Sequence, residues 1–275
     1  MIRQPISNRL RRVIQFFSIC LIVCSYGYLS YRQHQINPSD KTIPTFTQLS
    51  KVWSFEKPTD GTISLLVPDS NKRIWLIDDC YYSGVRFFTG VSLGVLAGFV
   101  IGILMGVYPI VEAFFHWPIK ILGSVPPTAM LALYFVLFGI EFKMYVAMIS
   151  LSIFPAIALS IYRAAITDVS EHAISKAYTL GADSFEVILD VVLKQTLPRI
   201  IEFVRLSIGP ALIFLIAAEW ANADVGFGYR LKIQSRMSNM NIVYTYLALL
   251  SLMTFVIDYI LVSIRLKFCC WFGTQ

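Results

Sequence analysis

Residues Ser170–Pro198 read SEHAISKAYTLGADSFEVILDVVLKQTLP and lie between two long apolar runs. Asp168 and Asp183 are each followed three residues later by a glutamate, a pattern typical of helix N-termini, and Gly181 lies where the first of two helices would end. The second helix carries apolar residues at helical spacing, which predicts a stripe made of Phe185, Ile188, Leu189 and Val192. We therefore predict two capped helices joined by a bend, a compact projection on which another protein can dock. We call residues 170–198 the two-helix loop.

The rest of the chain is dominated by long apolar blocks. Of the 275 residues, 56% are hydrophobic and only 15% are charged, which is less charge than soluble domains carry. A helix that crosses a bilayer needs about 20 predominantly apolar residues. Six blocks reach or approach this length: Val13–Tyr31, Phe87–Tyr108, Val125–Ile140, Met144–Tyr162, Val204–Ala221 and Ile242–Ile264. We predict an all-α integral membrane protein with about six transmembrane helices.

Basic residues predict how these helices are oriented. Arginines precede the first block, Lys and Arg lie in and beside the two-helix loop, and Arg265 and Lys267 follow the last block. Because cytoplasmic segments are enriched in Lys and Arg, we expect both termini and this loop to face the cytoplasm. The net charge of +6 is explained by this topology, and the chain has no basic stripe with interleaved aromatic residues that would indicate nucleic-acid binding.

Three regions follow from this organisation. Residues 1–82 hold the first transmembrane helix and a polar, outward-facing segment, in which we expect a short helix at Phe46–Phe55 and a strand at Thr62–Val67. Residues 83–266 form the transmembrane core, with a cytoplasmic loop at 163–200. Residues 267–275 form a short cytoplasmic tail.

Glycines recur every fourth residue in the second apolar block. They form a continuous ridge on one helix face: Gly90, Gly94, Gly98, Gly102 and Gly106. Glycine costs about 1 kcal/mol relative to alanine inside a helix, so such a ridge needs a reason. In membranes that reason is close approach of another helix, either within this chain or from a second subunit.

Charged and polar residues inside the apolar blocks are the candidates for pairing or gating. Arg205 and Asp258 lie at matching depths in the last two blocks, which predicts an ion pair that holds the helices together or takes part in gating. Other candidates for lining a pathway or gate lie at block ends and at a proline pair: Pro126, Pro127, Glu219, Trp220 and Asn222. Trp220 is equally explained as an interfacial anchor.

The region Gly84–Ile264 resembles the membrane subunit of a binding-protein-dependent ABC importer. Members of that family carry a cytoplasmic Glu-Ala-Ala-xxx-Gly loop followed by Leu-Pro. Here the loop reads Ser175-Lys176-Ala177, three further residues and then Gly181-Ala182, and it ends in Leu197-Pro198. The glutamate and the first alanine are replaced, and Leu193-Lys194 stands where the family often has an earlier Leu-Pro.

Two further stretches resemble the nitrate/sulfonate/taurine branch of this family. Ser124–Met130, with its proline pair, is similar to the proline-rich entry into the third helix. Ala218–Tyr229 is similar to the segment Ala-Glu-xxx-(Asn/Ser)-xx-Gly-x-Gly-Tyr. The resemblance implies the transmembrane domain of a type I ABC importer, a permease subunit in the bacterial inner membrane for a small nitrogen- or sulfur-containing solute.

The resemblance also implies partners. The chain has no Gly-xxxx-Gly-Lys-(Ser/Thr) phosphate loop, so ATP and Mg are expected on a separate ATPase subunit, in two copies, docked on the two-helix loop. An extracellular or periplasmic solute-binding protein would deliver the solute. Because alternating access needs two membrane halves, we expect a second permease subunit in a homodimer, surrounded by membrane lipid.

Two other classes of function stay open from the residues alone. A membrane-embedded enzyme would need convergent catalytic groups, yet His34, His116 and His172 lie outside the six apolar blocks, and no paired carboxylates or Ser/His pair stands out. A channel or sensor would not need the two-helix loop. No Cys/His cluster has the spacing of a metal site, so we predict neither a metal nor catalytic residues.

Overall fold

A computed structural model describes residues 7–37, 41–53, 65 and 74–269. Every regular element in these ranges is a helix, and the expected strand at Thr62–Val67 falls almost wholly outside them. The elements are α1 (Asn8–Ile36), α2 (Phe46–Lys51), α3 (Trp75–Val107), α4 (Pro109–Ser124), α5 (Leu131–Phe138), α6 (Phe142–Thr167), α7 (Glu171–Thr179), α8 (Ser184–Glu186), a π-helical segment (Val187–Leu193), α9 (Lys194–Asn222), α10 (Phe227–Arg236) and α11 (Met240–Phe268).

The chain forms two units, residues 1–76 with 231–247 and residues 77–230 with 248–275. In the first unit, Tyr26 of α1 donates a hydrogen bond to the carbonyl oxygen of Pro44 at 2.7 Å. Its ring packs edge-on against Phe46 and Tyr244, with centroids 5.6 and 6.1 Å away. α2 begins with a capping box and ends earlier than Phe55, the end we expected. α1 exposes large apolar side chains along its length, as a lipid-facing helix does.

Five helices in the described residues are long and apolar enough to cross a membrane. They are Arg9–Ile36, Trp75–Val107, Phe142–Thr167, Ser184–Asn222 and Met240–Phe268. The second of them begins before residue 83, where we placed the start of the transmembrane core. The expected block at Val125–Ile140 is absent from this set.

The apolar block expected at Val125–Ile140 is not one helix: α4 ends at Ser124, and the shorter α5 (Leu131–Phe138) lies within the block. Ala129 N–H bonds to the carbonyl oxygen of Pro126 in the turn between them. Proline has no N–H and disfavours helical geometry in the residue before it, so Pro126-Pro127 ends the helix.

The α4–α5 pair nevertheless runs antiparallel to α6 along its length. The Tyr162 hydroxyl donates to Glu112 of α4 at 3.2 Å, near one end of α6. Gly123 lies against Pro155 in the middle, and Tyr134 of α5 clusters with residues near the other end. Two half-length helices therefore cover the span of one long helix.

The core of the second unit lies where α3, α6 and α9 meet. Its buried residues include Phe87, Ile149, Ile153, Ile157, Ile161, Ile208, Leu212 and Leu215. α11 packs against this core with partly buried Leu250, Met253, Ile257 and Leu261.

The glycine ridge lies directly against α6, and the two helices run parallel. Gly90 faces Ile149, Gly98 faces Ile157, and Gly106 faces Ala165, so both helices advance in the same four-residue step. A Cβ atom added at Gly98 would lie 2.8 Å from Ile157 Cγ2. The other ridge glycines are equally close to α6, so the ridge is used for packing within this chain.

Candidate coupling and transport sites

The two-helix loop begins at Ser170, whose Oγ accepts a hydrogen bond from the Ala173 N–H at 3.3 Å. Asp168, the expected N-cap, is instead the C-cap residue that follows α6, and it forms an ion pair with Arg199 Nε at 3.1 Å. The reason is backbone geometry: an N-cap needs extended φ/ψ, which Ser170 has (−76°, 139°) and Asp168 (−94°, −17°) has not. Asp168 therefore ties the end of α6 to α9 at the base of the loop.

The bend between the two loop helices depends on Gly181. Its φ of +88° is in the left-handed region that favours glycine. The Ala182 N–H bonds to the carbonyl oxygen of Ala177 at 3.1 Å, and the Gly181 N–H bonds to that of Tyr178 at 3.0 Å, which together form a Schellman motif. A Cβ atom at Gly181 would meet nothing within 4 Å, so the bend has open space in front of it.

The second loop helix begins as expected at Asp183, whose N–H bonds to Glu186 Oε2 at 3.0 Å. The predicted apolar stripe, however, is split between two sides. Val192 is buried, whereas Phe185 and Leu189 are 65% and 41% exposed. The cause is the π-helical segment, which contains more residues per turn than an α-helix and therefore breaks the 3.6-residue spacing.

The loop presents a mixed surface to its surroundings. Leu180 is 79% exposed and lies next to the Gly181 bend. Ser175 and Lys176 are exposed, and Ala177 and Ala182 are half-buried. Leu197 and Pro198 lie near the start of α9, where Leu197 is half-buried and Pro198 is buried. Exposed apolar side chains beside an open glycine bend are suited to contact with another protein.

A network of four charged side chains joins α9 to α11. Arg205 Nε lies 2.6 Å from Asp258 Oδ1, the pairing that matched depth in the sequence predicted. Arg205 Nη1 also contacts Glu202 at 3.1 Å, and Glu202 accepts a further bond from Arg265 at 2.5 Å. Glu202 was not among the predicted site residues and Arg265 was used only for topology, although the spacing of Glu202 and Arg205 places them on one helix face.

Glu219, at the other end of α9, has no exposed surface. Its carboxylate accepts hydrogen bonds from Ser83 Oγ at 2.7 Å, Arg86 Nη1 at 2.8 Å and the Gly228 N–H at 2.9 Å. In this arrangement Glu219 supports the turn that follows α9 and does not face an open space. Its neighbour Trp220 is 43% exposed.

A second buried pair lies beside the first. Asp79 is fully buried and accepts from Arg230 Nε at 2.9 Å and from the Gly226 N–H at 3.0 Å. Arg86 also donates to the carbonyl oxygen of Val225 at 2.8 Å, and its guanidinium lies 4.2 Å from the centre of the Tyr145 ring. Asp79, Ser83, Arg86 and Arg230 were absent from the sequence prediction.

Two other features bear on solute passage. The Pro126-Pro127 turn between α4 and α5 is exposed at Pro126 and half-buried at Pro127, and Asn222 is exposed. A groove of about 190 Å³ between α6 and α9 is lined by both apolar side chains and three serines, Ser152, Ser160 and Ser207. No group of metal-ligating side chains is found among the residues that the structure describes.

Comparisons with known proteins agree with this architecture. The family described as "Binding-protein-dependent transport system inner membrane component" matches residues 94–266. The taurine transport system permease protein TauC of Escherichia coli is 29% identical over 188 residues, 68% of each chain. The putative aliphatic sulfonates transport permease protein SsuC of Bacillus subtilis is 28% identical over 187 residues, 68% of this chain and 67% of SsuC.

The fold also matches a solved structure. A chain of the MetNI methionine ABC transporter, in an inward-facing conformation, superposes with a TM-score of 0.63 at 17% identity, over 73% of this chain and 99% of that one. At this identity the match concerns the fold, which is that of a type I importer transmembrane domain. The chain belongs to the family of binding-protein-dependent ABC importer inner-membrane components, and it is a permease subunit and not an enzyme.

Proposed function

We propose that this permease carries a small sulfonate, with taurine as the first candidate. The similarity to TauC and SsuC over two thirds of each protein supports this substrate class, because both are described as sulfonate or taurine permeases. The wider set that the sequence allows includes nitrate and other small nitrogen- or sulfur-containing solutes. A groove of about 190 Å³ with neutral hydroxyls is in keeping with a small polar solute.

The two-helix loop is the proposed docking site for the ATPase subunit. The observation that carries this proposal is the exposed bend: Gly181 has open space around it, and Leu180 and Phe185 are mostly exposed beside it. Asp168 and Arg199 join the two ends of the loop, so a push on the loop acts on α6 and α9 together. Two ATPase subunits, carrying ATP and Mg, would each engage one such loop.

A homodimer of permease subunits is the proposed assembly. One chain has too few crossings to supply two halves that rock against each other. The glycine ridge already packs within the chain, so the dimer must use other surfaces. We also propose that the two-helix loop and both termini lie in the cytoplasm, because Lys and Arg are concentrated in these segments.

Uptake in a reconstituted system tests the proposal. Proteoliposomes would contain this chain and its ATPase, with the solute-binding protein and radiolabelled taurine on the side opposite the ATPase. We expect ATP-dependent taurine accumulation, competed by ethanesulfonate and unaffected by nitrate. Uptake of nitrate in place of both sulfonates would refute the substrate class, and uptake without ATP would refute the coupling.

A further inference from the structure

Five charged or polar side chains form a cluster that we call the α3–α10 clamp: Asp79, Ser83, Arg86, Glu219 and Arg230. Three of them lie on successive turns of α3, one lies in the last turn of α9 and one lies in α10. Asp79, Ser83 and Glu219 are fully buried, and only 12% of each arginine side chain is exposed. The clamp thus brings together helices that are far apart in the chain.

The clamp holds a short turn, Ala223–Gly226, by its backbone. The N–H groups of Gly226 and Gly228 donate to the two carboxylates, and the carbonyl oxygen of Val225 accepts from Arg86. Gly226 has a φ of +130°, and a Cβ atom there would lie 2.6 Å from Glu219 Oε1. Side chains from two helices therefore impose one conformation on this turn.

Buried ion pairs by themselves add little to protein stability, because replacing them with apolar residues of similar size is often neutral or stabilising. What the clamp adds is directional contact: each carboxylate pairs with one arginine and one backbone N–H. Such an arrangement fixes the position of the turn relative to α3 and α9. A fixed position is useful when the surface of the turn has to meet another molecule.

The location of the turn indicates which molecule that is. α9 has 29 residues, about 43 Å of helix, so the turn lies at the far end of α9 from the two-helix loop. An importer receives its solute at the membrane face away from the ATPase. Beside the clamp, Trp220 is 43% exposed, and Asn222 and Asp224 are exposed.

We propose that the clamp positions Trp220–Gly226 as a contact for the solute-binding protein and ties that contact to α3 and α9. Asp79, Arg86 and Arg230 are then positioning residues, through which arrival of the binding protein is transmitted to the helix that leads to the ATPase. This inference rests on the proposed importer function.

The test compares basal and stimulated ATP hydrolysis in the reconstituted complex, with taurine-loaded binding protein as the stimulus. The double variant Asp79→Asn/Arg230→Gln removes the charges of one buried pair, with Asn matching the size of Asp and Gln shorter than Arg, and the Asn oxygen can still accept from Gly226. We expect normal assembly and basal activity, with stimulation reduced by about tenfold, in the usual range for coupling between two sites. Arg230→Lys, which keeps the charge, should recover part of the stimulation.

Two further variants complete the test. Asp78→Asn, an adjacent acid outside the clamp, is the matched control and should behave as wild type. Asp224→Lys leaves the clamp intact and should raise the concentration of binding protein that gives half-maximal stimulation by about tenfold.

Three outcomes count against the proposal. Unchanged stimulation in the double variant overturns the positioning role. Loss of assembly or of basal activity together with stimulation reduces the clamp to a purely structural feature, and an unchanged half-maximal concentration in Asp224→Lys removes the docking surface. A wild-type complex that shows no taurine uptake would instead reject the proposed substrate.

Discussion

Substituting one ridge glycine by alanine is the smallest change that tests the packing of α3 on α6. In Gly102→Ala the new Cβ atom would lie 2.8 Å from the carbonyl oxygen of Ala158 and 2.9 Å from Ile161 Cβ. Both neighbours are fixed to the backbone of α6, so no rotamer change relieves the contact. An ordinary contact begins at 3.4 Å, so the helices must separate by about 0.6 Å at this point.

The expected cost follows from that displacement. Overpacking of this kind costs about 1–3 kcal/mol, while alanine recovers about 1 kcal/mol of helix propensity. Gly84→Ala is the matched control, because it lies in the same helix and its Cβ would meet nothing within 4 Å. The difference between the two variants removes the propensity gain and should equal the overpacking cost.

Thermal unfolding of the purified protein in detergent measures this difference. For a chain of this size about 1 kcal/mol corresponds to about 2–4 °C in Tm. We expect Gly84→Ala to match or exceed the wild-type Tm, and Gly102→Ala to unfold several degrees below Gly84→Ala. Equal Tm values for the two variants would refute the reasoning, since they would mean that α3 and α6 are not in contact at the ridge.

Three other predictions concern the two-helix loop and the charged network. Gly181→Asp places a side chain at a positive φ, which costs about 1 kcal/mol or more, and adds charge where the ATPase docks. We expect normal membrane insertion, weaker co-purification of the ATPase and sharply reduced uptake. Gln195→Ala, on the same segment, should change little, and full uptake by Gly181→Asp would exclude this loop as the coupling element. A cysteine introduced by Ser175→Cys should react with an impermeant reagent only after the inner membrane is permeabilised, and labelling in intact spheroplasts would reverse the assigned topology. The destabilising effects of Arg205→Gln and Asp258→Asn should be less than additive in the double variant, because both remove one ion pair; strictly additive changes in Tm would show that the pair contributes nothing.

Local rules in the sequence predicted the local features of the loop. The bend at Gly181 and the start of a helix at Asp183 depend on the residue itself and its near neighbours. The cap at Asp168 was wrong because the choice between Asp168 and Ser170 depends on where α6 ends, which is decided by packing. The apolar stripe was wrong because α-helical spacing was assumed through a π-helical segment.

Contacts between residues distant in sequence could be predicted only where a single property, such as depth in the membrane, reduced the charged residues to a few possible partners. Depth in the membrane selected Arg205 and Asp258, because few charges occur inside the apolar blocks. Asp79 and Arg230 are 151 residues apart and lie outside the apolar blocks, where charges are common. Only the return of the chain after α9 brings them together, and no pattern in the sequence encodes that return.

The π-helical segment determines how the two ends of a long helix are rotated relative to each other. α8, the π segment and α9 are continuous from Ser184 to Asn222, a single helix of 39 residues. An α-helix turns about 100° per residue, and a π turn holds more residues than an α turn. Deleting one residue from Val187–Leu193 would allow ordinary α turns with Phe185 at nearly the same angle to Glu219, whereas forming α turns there without a deletion would rotate Phe185 around the axis relative to Glu219. The π segment therefore sets the angle between the end of this helix that belongs to the two-helix loop and the end that belongs to the α3–α10 clamp.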